Sequence, residues 1–271
     1  GLTGEIVTFE NNVFATTTNL GSGEIEFESD VTGNITTSIN NQGIVSLIGD
    51  NSGKSQTITG NVGSSGLSIA TLNVGESGSS SNYSTTTING DVFAISTVLN
   101  NGTINSSTLI LSSGKSITST ITTVDDGKGI LTLSGGTQNV NGSVGSNSAK
   151  LAEINAGANG SSSTFSSDVY ATNLDVEGTG SVNLNGNYTG TTLRYNADGI
   201  VNLADNKNIT SDVTTATNNT GTLNVNGTST ISGSVGTNSN RLKEINAGLT
   251  GEIATFSSDV YATNLDVEGT G

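Results

Sequence analysis

The segment SSDVYATNLDVEGTG occupies Ser166–Gly180 and recurs letter for letter at Ser257–Gly271. A fifteen-residue identity does not arise by chance in a chain of 271 residues, so part of this sequence is duplicated. Within the segment, apolar and polar residues alternate with a period of two over LDV at Leu174–Val176. That period is typical of β-strands, in which successive side chains point to opposite faces.

The duplication extends through the whole chain. Four hydrophobic-aromatic pairs mark equivalent positions, at spacings of 79, 77 and 91 residues that total 247: Val13-Phe14, Val92-Phe93, Val169-Tyr170 and Val260-Tyr261. These spacings predict three repeat blocks and the start of a fourth, with boundaries at residues 1–79, 80–156, 157–247 and 248–271. Because the last residues repeat the first and the chain does not begin with Met, we expect the natural protein to extend beyond both ends.

A shorter repeat lies within the blocks. Alternating strings recur about every 20 residues, for example VNL at Val182–Leu184, VNL at Val201–Leu203 and LNV at Leu223–Val225. Gly, Asn, Asp and Ser, the residues of tight turns, separate them. Short strands at this spacing predict an all-β fold, a parallel β-solenoid (β-helix) with about 20 residues per coil. The chain would form on the order of 13 coils in one continuous rod of roughly 60–65 Å.

The composition agrees with a narrow core. Hydrophobic residues make up 31% of the chain and aromatic residues 4%, and proline is absent. Small branched side chains are sufficient to fill the interior of a thin solenoid, and a proline would remove a hydrogen-bond donor from the strand ladder. We expect outward Thr, Ser and Asn side chains to form polar ladders from coil to coil. An array of antiparallel β-sandwiches with blocks of about 80–90 residues is the alternative, although the shorter repeat has no place in it.

Charge and residue inventory exclude several classes of function. The net charge is −15, from 8 Lys and Arg against 23 Asp and Glu, so the chain would be repelled by a nucleic-acid backbone. No run approaches 18 apolar residues, so we expect no membrane insertion of this segment. The chain contains neither His nor Cys, which excludes serine–histidine and cysteine–histidine catalysis and histidine or thiolate metal sites.

The acidic residues are scattered, and Asp125 and Asp126 form their densest cluster. Two adjacent carboxylates could contribute oxygen ligands to Ca²⁺, but a polar turn is the favoured interpretation. Asp198 and Asp205 are interpreted in the same way, as turn residues that bond to their own backbone. We therefore predict no catalytic, cofactor-binding or metal-binding residue and a protein that is not an enzyme.

The aromatic member of each hydrophobic-aromatic pair occupies an equivalent position in every block. Phe14, Phe93, Tyr170 and Tyr261 are predicted to fill a packing slot beside the adjacent valine. A platform on which sugars stack is the alternative interpretation of the same residues.

A resemblance rests on three strings of similar pattern, GIVSLIG from Gly43, GILTLSG from Gly129 and GTLNVNG from Gly221, and on VNLADNKNIT at Val201–Thr210. With these Thr-, Asn- and Gly-rich copies, the chain resembles the passengers of autotransporter-type adhesins of bacteria, including the surface-antigen repeats of rickettsia-like bacteria. The resemblance implies a β-helical stalk on the bacterial cell surface, involved in adhesion or in coating the cell.

Three functions follow as hypotheses. The first is a structural segment of a giant extracellular surface protein, a rigid stalk or coat that contacts neighbouring repeats while any host or cell-surface ligand binds elsewhere. The second is a protomer of a self-assembling extracellular fibre or surface layer, since exposed solenoid ends can template growth. The third is a carbohydrate-active β-helix enzyme, which would need converging carboxylates in a groove.

Overall fold

The computed structural model describes residues 5–49, 53–78, 82–102, 105–248, 250–267 and 269. In this part of the chain every regular element is a β-strand, and none of it forms a helix that is long and apolar enough to cross a bilayer. The strands are β1 (Ile6–Phe9), β2 (Val13–Leu20), β3 (Glu24–Phe27), β4 (Val31–Thr37), β5 (Ile44–Leu47), β6 (Lys54–Ile58), β7 (Ile69–Val74), β8 (Ser84–Ile88), β9 (Val92–Leu99), β10 (Thr108–Leu111), β11 (Ile117–Thr123), β12 (Lys128–Leu133), β13 (Thr137–Asn141), β14 (Leu151–Ala156), β15 (Ser162–Phe165), β16 (Val169–Val176), β17 (Ser181–Leu184), β18 (Tyr188–Tyr195), β19 (Ile200–Leu203), β20 (Asn208–Thr215), β21 (Thr222–Val225), β22 (Ser229–Ile231), β23 (Leu242–Ala247), β24 (Ala254–Phe256) and β25 (Ala262–Val267).

The strands form two ladders that run the length of the molecule. Odd-numbered strands β1 to β25 make a ladder of 13 strands, and even-numbered strands β2 to β24 make one of 12. Neighbouring strands in each ladder are parallel, as in the pair β17 and β19. The chain is therefore a β-solenoid of about 12 turns, spaced about 22 residues apart. The predicted fold class is confirmed, and the sandwich alternative is wrong because sandwiches pair their strands antiparallel.

The length of a coil varies more than the sequence predicts. Ser181 pairs with Ile200, nineteen positions later, whereas Lys54 pairs with Ser84, thirty positions later. The additional residues lie in the turns; residues 64–67, for example, form a small protruding turn closed by an antiparallel bridge between Ser64 and Leu67. The predicted 20 residues per coil describes the regular part of the chain, and the longer turns raise the average to about 22.

The core follows from the period of two. In β17, β19 and β21 alternate residues point inward, and Val182, Val201 and Leu223 have no exposed surface. Each of these side chains stacks on its equivalent in the coil below, because the strands pair without offset. The result is continuous columns of Val, Ile and Leu, with few aromatic residues.

The register defines three faces. We call face A the ladder that starts with β1, β3, β5 and β7, face B the one through β6, β8, β10 and β12, and face C the one through β15, β17, β19 and β21. Strands of eight residues bend across a corner and belong to two faces. In β9, Val92 is bridged to Val62 on face C, whereas Leu99 pairs with Val74 on face A.

Equivalent strands of successive blocks lie on different faces. The related sequences IATLNV, LAEINA and LKEINA form β7 on face A, β14 on face B and β23 on face C. A block therefore contains a whole number of coils plus about one third of a turn. Three blocks are needed before a repeated feature returns to its original face.

The core columns generate the first prediction. Replacing Leu223, which is fully buried between Val201 and Ile245, by alanine removes packing on both neighbouring coils. We expect Leu223→Ala to lower the free energy of unfolding by about 2–5 kcal/mol, measured by urea denaturation with far-UV circular dichroism. The outward neighbour Thr222 supplies the control, since Thr222→Ala should cost less than about 1 kcal/mol. Equal losses in the two variants would contradict the assignment of faces.

Candidate functional site

An asparagine column runs along the outside of face C. It consists of Asn183, Asn202, Asn224 and Asn246, the central polar residues of four stacked strands. The amide Nδ2 groups of Asn202, Asn224 and Asn246 donate to the Asn Oδ1 of the coil below, at 2.8, 2.6 and 2.8 Å, and Asn183 Nδ2 donates to the hydroxyls of Ser162 and Thr164. The expected polar ladder is present here. For Asn202 and Asn224, inside the column, it satisfies one donor and one acceptor of the side chain along the rod axis.

A second type of column occupies the corners, where the strand ladders are interrupted. Asp168 Oδ1 accepts the backbone N–H of Asn187 at 2.8 Å, and Asn187 Oδ1 accepts that of Asn208 at 2.9 Å. Asn208 Oδ1 in turn accepts the N–H of Thr230 at 2.9 Å. These side chains provide the acceptors that backbone N–H groups of the next coil need at the corner.

The corner columns correct the interpretation of two aspartates. Asp198 Oδ1 accepts the backbone N–H of Gly221 at 3.1 Å, and Asp205 Oδ1 accepts that of Thr228 at 2.9 Å. Both bonds reach the next coil and not the residue's own turn, because in a solenoid the nearest uncommitted N–H groups at a corner lie one coil above. Lys243 Nζ also donates to Asp198 at 2.7 Å and lowers the pKa of that carboxyl, together with the bond from Gly221.

The proposed calcium position is a corner of the same kind. Asp125 and Asp126 are exposed, and Asp126 Oδ1 accepts the backbone N–H of Lys150 at 2.8 Å. Among the described residues there is no group of three or more Asp, Glu, His or Cys side chains that could hold a metal ion. The structure therefore gives Asp125 and Asp126 no third protein carboxylate.

The prediction that the aromatic residue of each hydrophobic-aromatic pair fills a packing slot is wrong. The valine of each pair points inward, and Val92 and Val169 are buried, so the adjacent aromatic residue points outward. Phe14 is 78% exposed, and Tyr170 is only partly buried. The pairs are also more than three coils apart, so they do not assemble a common platform for stacking sugars. A period of two places only one of two adjacent residues in the core.

Other aromatic residues fill the core instead. Phe27, Phe165, Tyr188 and Tyr195 have no exposed surface. Tyr188 donates its hydroxyl to the Thr192 carbonyl at 2.8 Å, and Tyr195 donates to the Thr222 carbonyl at 2.8 Å. Burial raises the pKa of both tyrosines, since the phenolate would be desolvated. The signal in the sequence is their alignment with aliphatic residues of neighbouring coils, as Tyr188 pairs with Val169 and Ile209.

Carboxylates gather in one shallow depression near the first coils. It has a volume of about 260 Å³ and is lined in part by Glu24, Glu26 and Glu76. Glu24 Oε1 accepts from Ser46 Oγ at 2.5 Å, and Glu26 Oε2 accepts from Thr8 Oγ1 at 2.7 Å. These bonds join neighbouring coils, so two of the three carboxylates already belong to outward polar ladders.

Among the residues that the structure describes, one acid is buried, Asp175 on the outside of face B. It is 2% exposed, and its Oδ2 forms an ion pair of 2.5 Å with Nη2 of Arg194 on the next coil. Its Oδ1 is buried without a hydrogen-bond partner. Burial raises the pKa of Asp175 above its ordinary value, and the hydrogen bond and charge of Arg194 oppose that rise only in part.

Comparison with known proteins finds no matching family model, no matching curated protein and no matching solved structure. Most of the polar groups described above form hydrogen bonds between neighbouring coils. Such bonds stabilise the stacking of the coils along the rod axis.

The two kinds of column generate a prediction based on one substitution at two positions. Asn202→Asp removes the donor to Asn183 and places two acceptors against each other, so we expect a loss of about 1–3 kcal/mol in the free energy of unfolding at pH 7. A protonated carboxyl at position 202 can donate to Asn183 again, as the amide does. The loss should therefore shrink as the pH falls towards 3.

Asn208→Asp is the matched control. The corner position uses only the side-chain acceptor, and Asp168 already occupies the equivalent place two coils below. We expect a change of less than about 0.5 kcal/mol, measured by urea denaturation at both pH values. A larger loss at the corner than in the asparagine column would contradict the assigned roles.

Asp175 generates a prediction on pH dependence. Because its pKa is raised in the folded protein, the native state binds the proton more tightly than the unfolded state. The contribution of Asp175 to the free energy of unfolding is therefore complete below the pKa of the unfolded state, about 3.9. It is lost as the pH rises through the higher pKa of the native state. Asp175→Asn should abolish that loss, so the variant should become more stable relative to the wild type between pH 3 and pH 7.

The repeat-equivalent residue Asp266 is the control, because it is exposed. Asp266→Asn should change the free energy of unfolding at pH 7 by less than about 0.5 kcal/mol. A variant Asp175→Asn that loses stability at pH 7 would mean that the ion pair with Arg194 outweighs the cost of burying the carboxylate.

Proposed function

We propose that this chain is a rigid, non-catalytic segment of an extracellular bacterial surface protein, in which it acts as a stalk or as part of a cell-surface coat. The observation that carries the proposal is the pair of parallel ladders that run through 13 and 12 strands. The sequence resemblance to autotransporter-type passengers supports the location at the cell surface. Ligand binding is assigned to other parts of such a protein.

Stiffness follows from the way the coils are joined. Each coil contacts its neighbours on three faces, through backbone hydrogen bonds, core columns and outward side-chain columns. Bending the rod sharply would break hydrogen bonds between coils on one face and compress the coils on another. A stack of coils joined in this way therefore resists bending. At about 4.8 Å per coil, 12 turns form a rod of roughly 58 Å.

The surface chemistry suits exposure to water. The net charge is −15, and the outward positions of the strands carry mainly Thr, Ser, Asn and acidic side chains. A strongly acidic rod repels copies that lie side by side and keeps a stalk extended from a surface. Lys and Arg, which would attract nucleic acid or anionic headgroups, number only 8.

The test uses the periodicity of the solenoid. Inserting a second copy of residues 21–267 after Val267 adds 247 residues, which corresponds to a whole number of coils on every face. The rod should lengthen by about 53 Å, at 4.8 Å per coil, without a change in its cross-section, as measured by small-angle scattering. An insertion of only residues 157–247 would turn the following coils by about one third of a turn, as successive blocks of the native chain do, and should lengthen the rod by only about 20 Å.

A display assay tests the role itself. A binding module fused behind the chain on a bacterial cell should capture its ligand above a grafted polymer layer only when the rod is longer than the layer is thick. The doubled chain should therefore reach through a thicker layer than the single chain. Capture that is independent of rod length, or that is lost when outward threonines are replaced by serine, would contradict the spacer function.

A further inference from the structure

A protruding turn of six residues occurs once in each of the three full blocks. We call these turns knob 1 (residues 63–68), knob 2 (residues 145–150) and knob 3 (residues 236–241). Each knob is closed by hydrogen bonds across its tip; in knob 2, the Ser146 N–H donates to the Ala149 carbonyl at 3.0 Å. The residues at the tip of every knob are exposed.

Each knob is an insertion relative to the coil above it. Val144 is bridged to Val169, and Leu151 pairs with Ala171. In the lower coil, the six residues of knob 2 span this interval, whereas Tyr170 alone spans it in the upper coil. The solenoid can therefore close this corner with one residue. The stacking of coils does not require the rest of the knob.

The other two knobs show the same relation. Knob 1 lies opposite Phe93 alone in the coil above, and knob 3 lies opposite Tyr261 alone. One outward aromatic residue is thus placed directly above every knob. This pairing accounts for the repetition of the hydrophobic-aromatic pairs, which packing in the core does not explain.

The base of each knob is held in one position. The glycine that starts each knob has a φ between 66° and 72°, and a Cβ there would lie within 2.3 Å of the carbonyl oxygen of the aromatic residue above. Because the backbone is fixed at both ends, a ligand would bind a preformed turn at little entropic cost. A side-chain Oδ1 of the coil below accepts the N–H of the residue that ends each knob: Asn40 from Ser68 at 2.9 Å, Asp126 from Lys150 at 2.8 Å and Asn218 from Arg241 at 2.9 Å.

The knobs are distributed around the rod. Knob 1 leads from face C to face A, knob 2 from face A to face B, and knob 3 from face B to face C. Along the axis, about 16 Å separates the first knob from the second and about 21 Å the second from the third, at about 4.8 Å per coil. The knobs point in three directions, so no single flat partner contacts all of them.

Knobs 2 and 3 carry the same polar groups beside a tyrosine. Their tips contain Ser-Asn-Ser and Thr-Asn-Ser, whereas knob 1 has Ser-Ser-Gly and no amide. Lys150 Nζ donates to the Asn147 carbonyl at 3.1 Å, and Arg241 Nη2 donates to Asn238 Oδ1 at 3.3 Å, so each cation braces its own tip. The hydroxyl and amide groups of the tips can both donate and accept hydrogen bonds.

This combination of groups suits a neutral sugar. The apolar face of a pyranose ring packs on an aromatic ring, and its hydroxyl groups pair with Ser and Asn side chains. Acidic polymers are disfavoured, because the chain has a net charge of −15. A six-residue turn is also too small for a stable protein interface, which buries about 800 Å² on each partner.

We propose that knobs 2 and 3, each with the tyrosine of the coil above, bind chains of neutral polysaccharide. The rod would then hold glycan chains at separate points around its axis. Each contact is weak, and two sites on one rod raise the avidity for a polymer that reaches both. The proposal goes beyond the spacer function, because it gives the rod itself a ligand, and it does not depend on that function.

The first test is electrophoresis of the full 271-residue chain in native gels to which mannan, dextran or hyaluronan is covalently fixed. Mannan and dextran are neutral hexose polymers, and hyaluronan is acidic. We expect at least one neutral polymer to retard the chain more than hyaluronan does. No retardation by either neutral polymer, or retardation by hyaluronan that is as strong, would overturn the proposal.

The tyrosines are tested by substitution. Tyr170→Ala combined with Tyr261→Ala should raise the apparent Kd for the retarding polymer at least about threefold, because both sites lose the ring on which the sugar packs. The corresponding double substitution by phenylalanine keeps the ring and should change the Kd less than about twofold. Phe14→Ala is the matched control, since Phe14 has the same repeat position and the structure describes no knob beside it. An equal effect of the alanine variants and the control would contradict the assigned sites.

Removal of a knob separates binding from stacking. Replacing residues 145–150 by one threonine gives this coil the spacing of the coil above. We expect the far-UV circular dichroism spectrum to be retained and the apparent Kd to rise at least about twofold, because one of two sites is lost. A variant that fails to fold would show that knob 2 serves the stacking of coils and would overturn the proposal, as would unchanged binding.

Discussion

The structure depends on the backbone hydrogen bond between one coil and the next. Every strand in the interior of the rod must find its N–H and C=O partners in the coils above and below, because no partner lies within the same coil. This requirement forces neighbouring strands to be parallel and in register, as Val182, Val201 and Leu223 are. It also explains why proline, which lacks the donor, has no place in 271 residues.

The same requirement determines what the polar residues do. Where a strand ends and the ladder is interrupted, an Asn or Asp side chain supplies the missing acceptor, as Asp168 and Asn187 do at one corner. Between corners, outward asparagines bond to one another along the axis. The acidic and amide side chains that a sequence reader would examine for catalysis or metal binding are thus engaged in holding the coils together.

The relation between blocks and coils is a consequence of turn length. A block advances the chain by about one third of a turn beyond a whole number of coils, so β7, β14 and β23 lie on three different faces. Any feature that is repeated once per block is therefore displayed around the rod and not along one side. Only a set of three blocks returns a repeated feature to its original face.

The sequence by itself determined the all-β class, the parallel solenoid and the outward polar ladders, because a period of two and turn residues are local properties of strings such as VNL at Val201–Leu203. Only the tertiary structure decided which coil each strand joins. Turns of different length separate Ser181 from Ile200 by nineteen positions and Lys54 from Ser84 by thirty, without any change in the strand pattern. It also decided that Val169 and not Tyr170 is buried, and that Asp198 bonds to Gly221 one coil away. Strand pairing, burial and hydrogen-bond partners depend on contacts between residues that are distant in sequence. The alternation of apolar and polar residues within one strand does not specify which strand lies next to it.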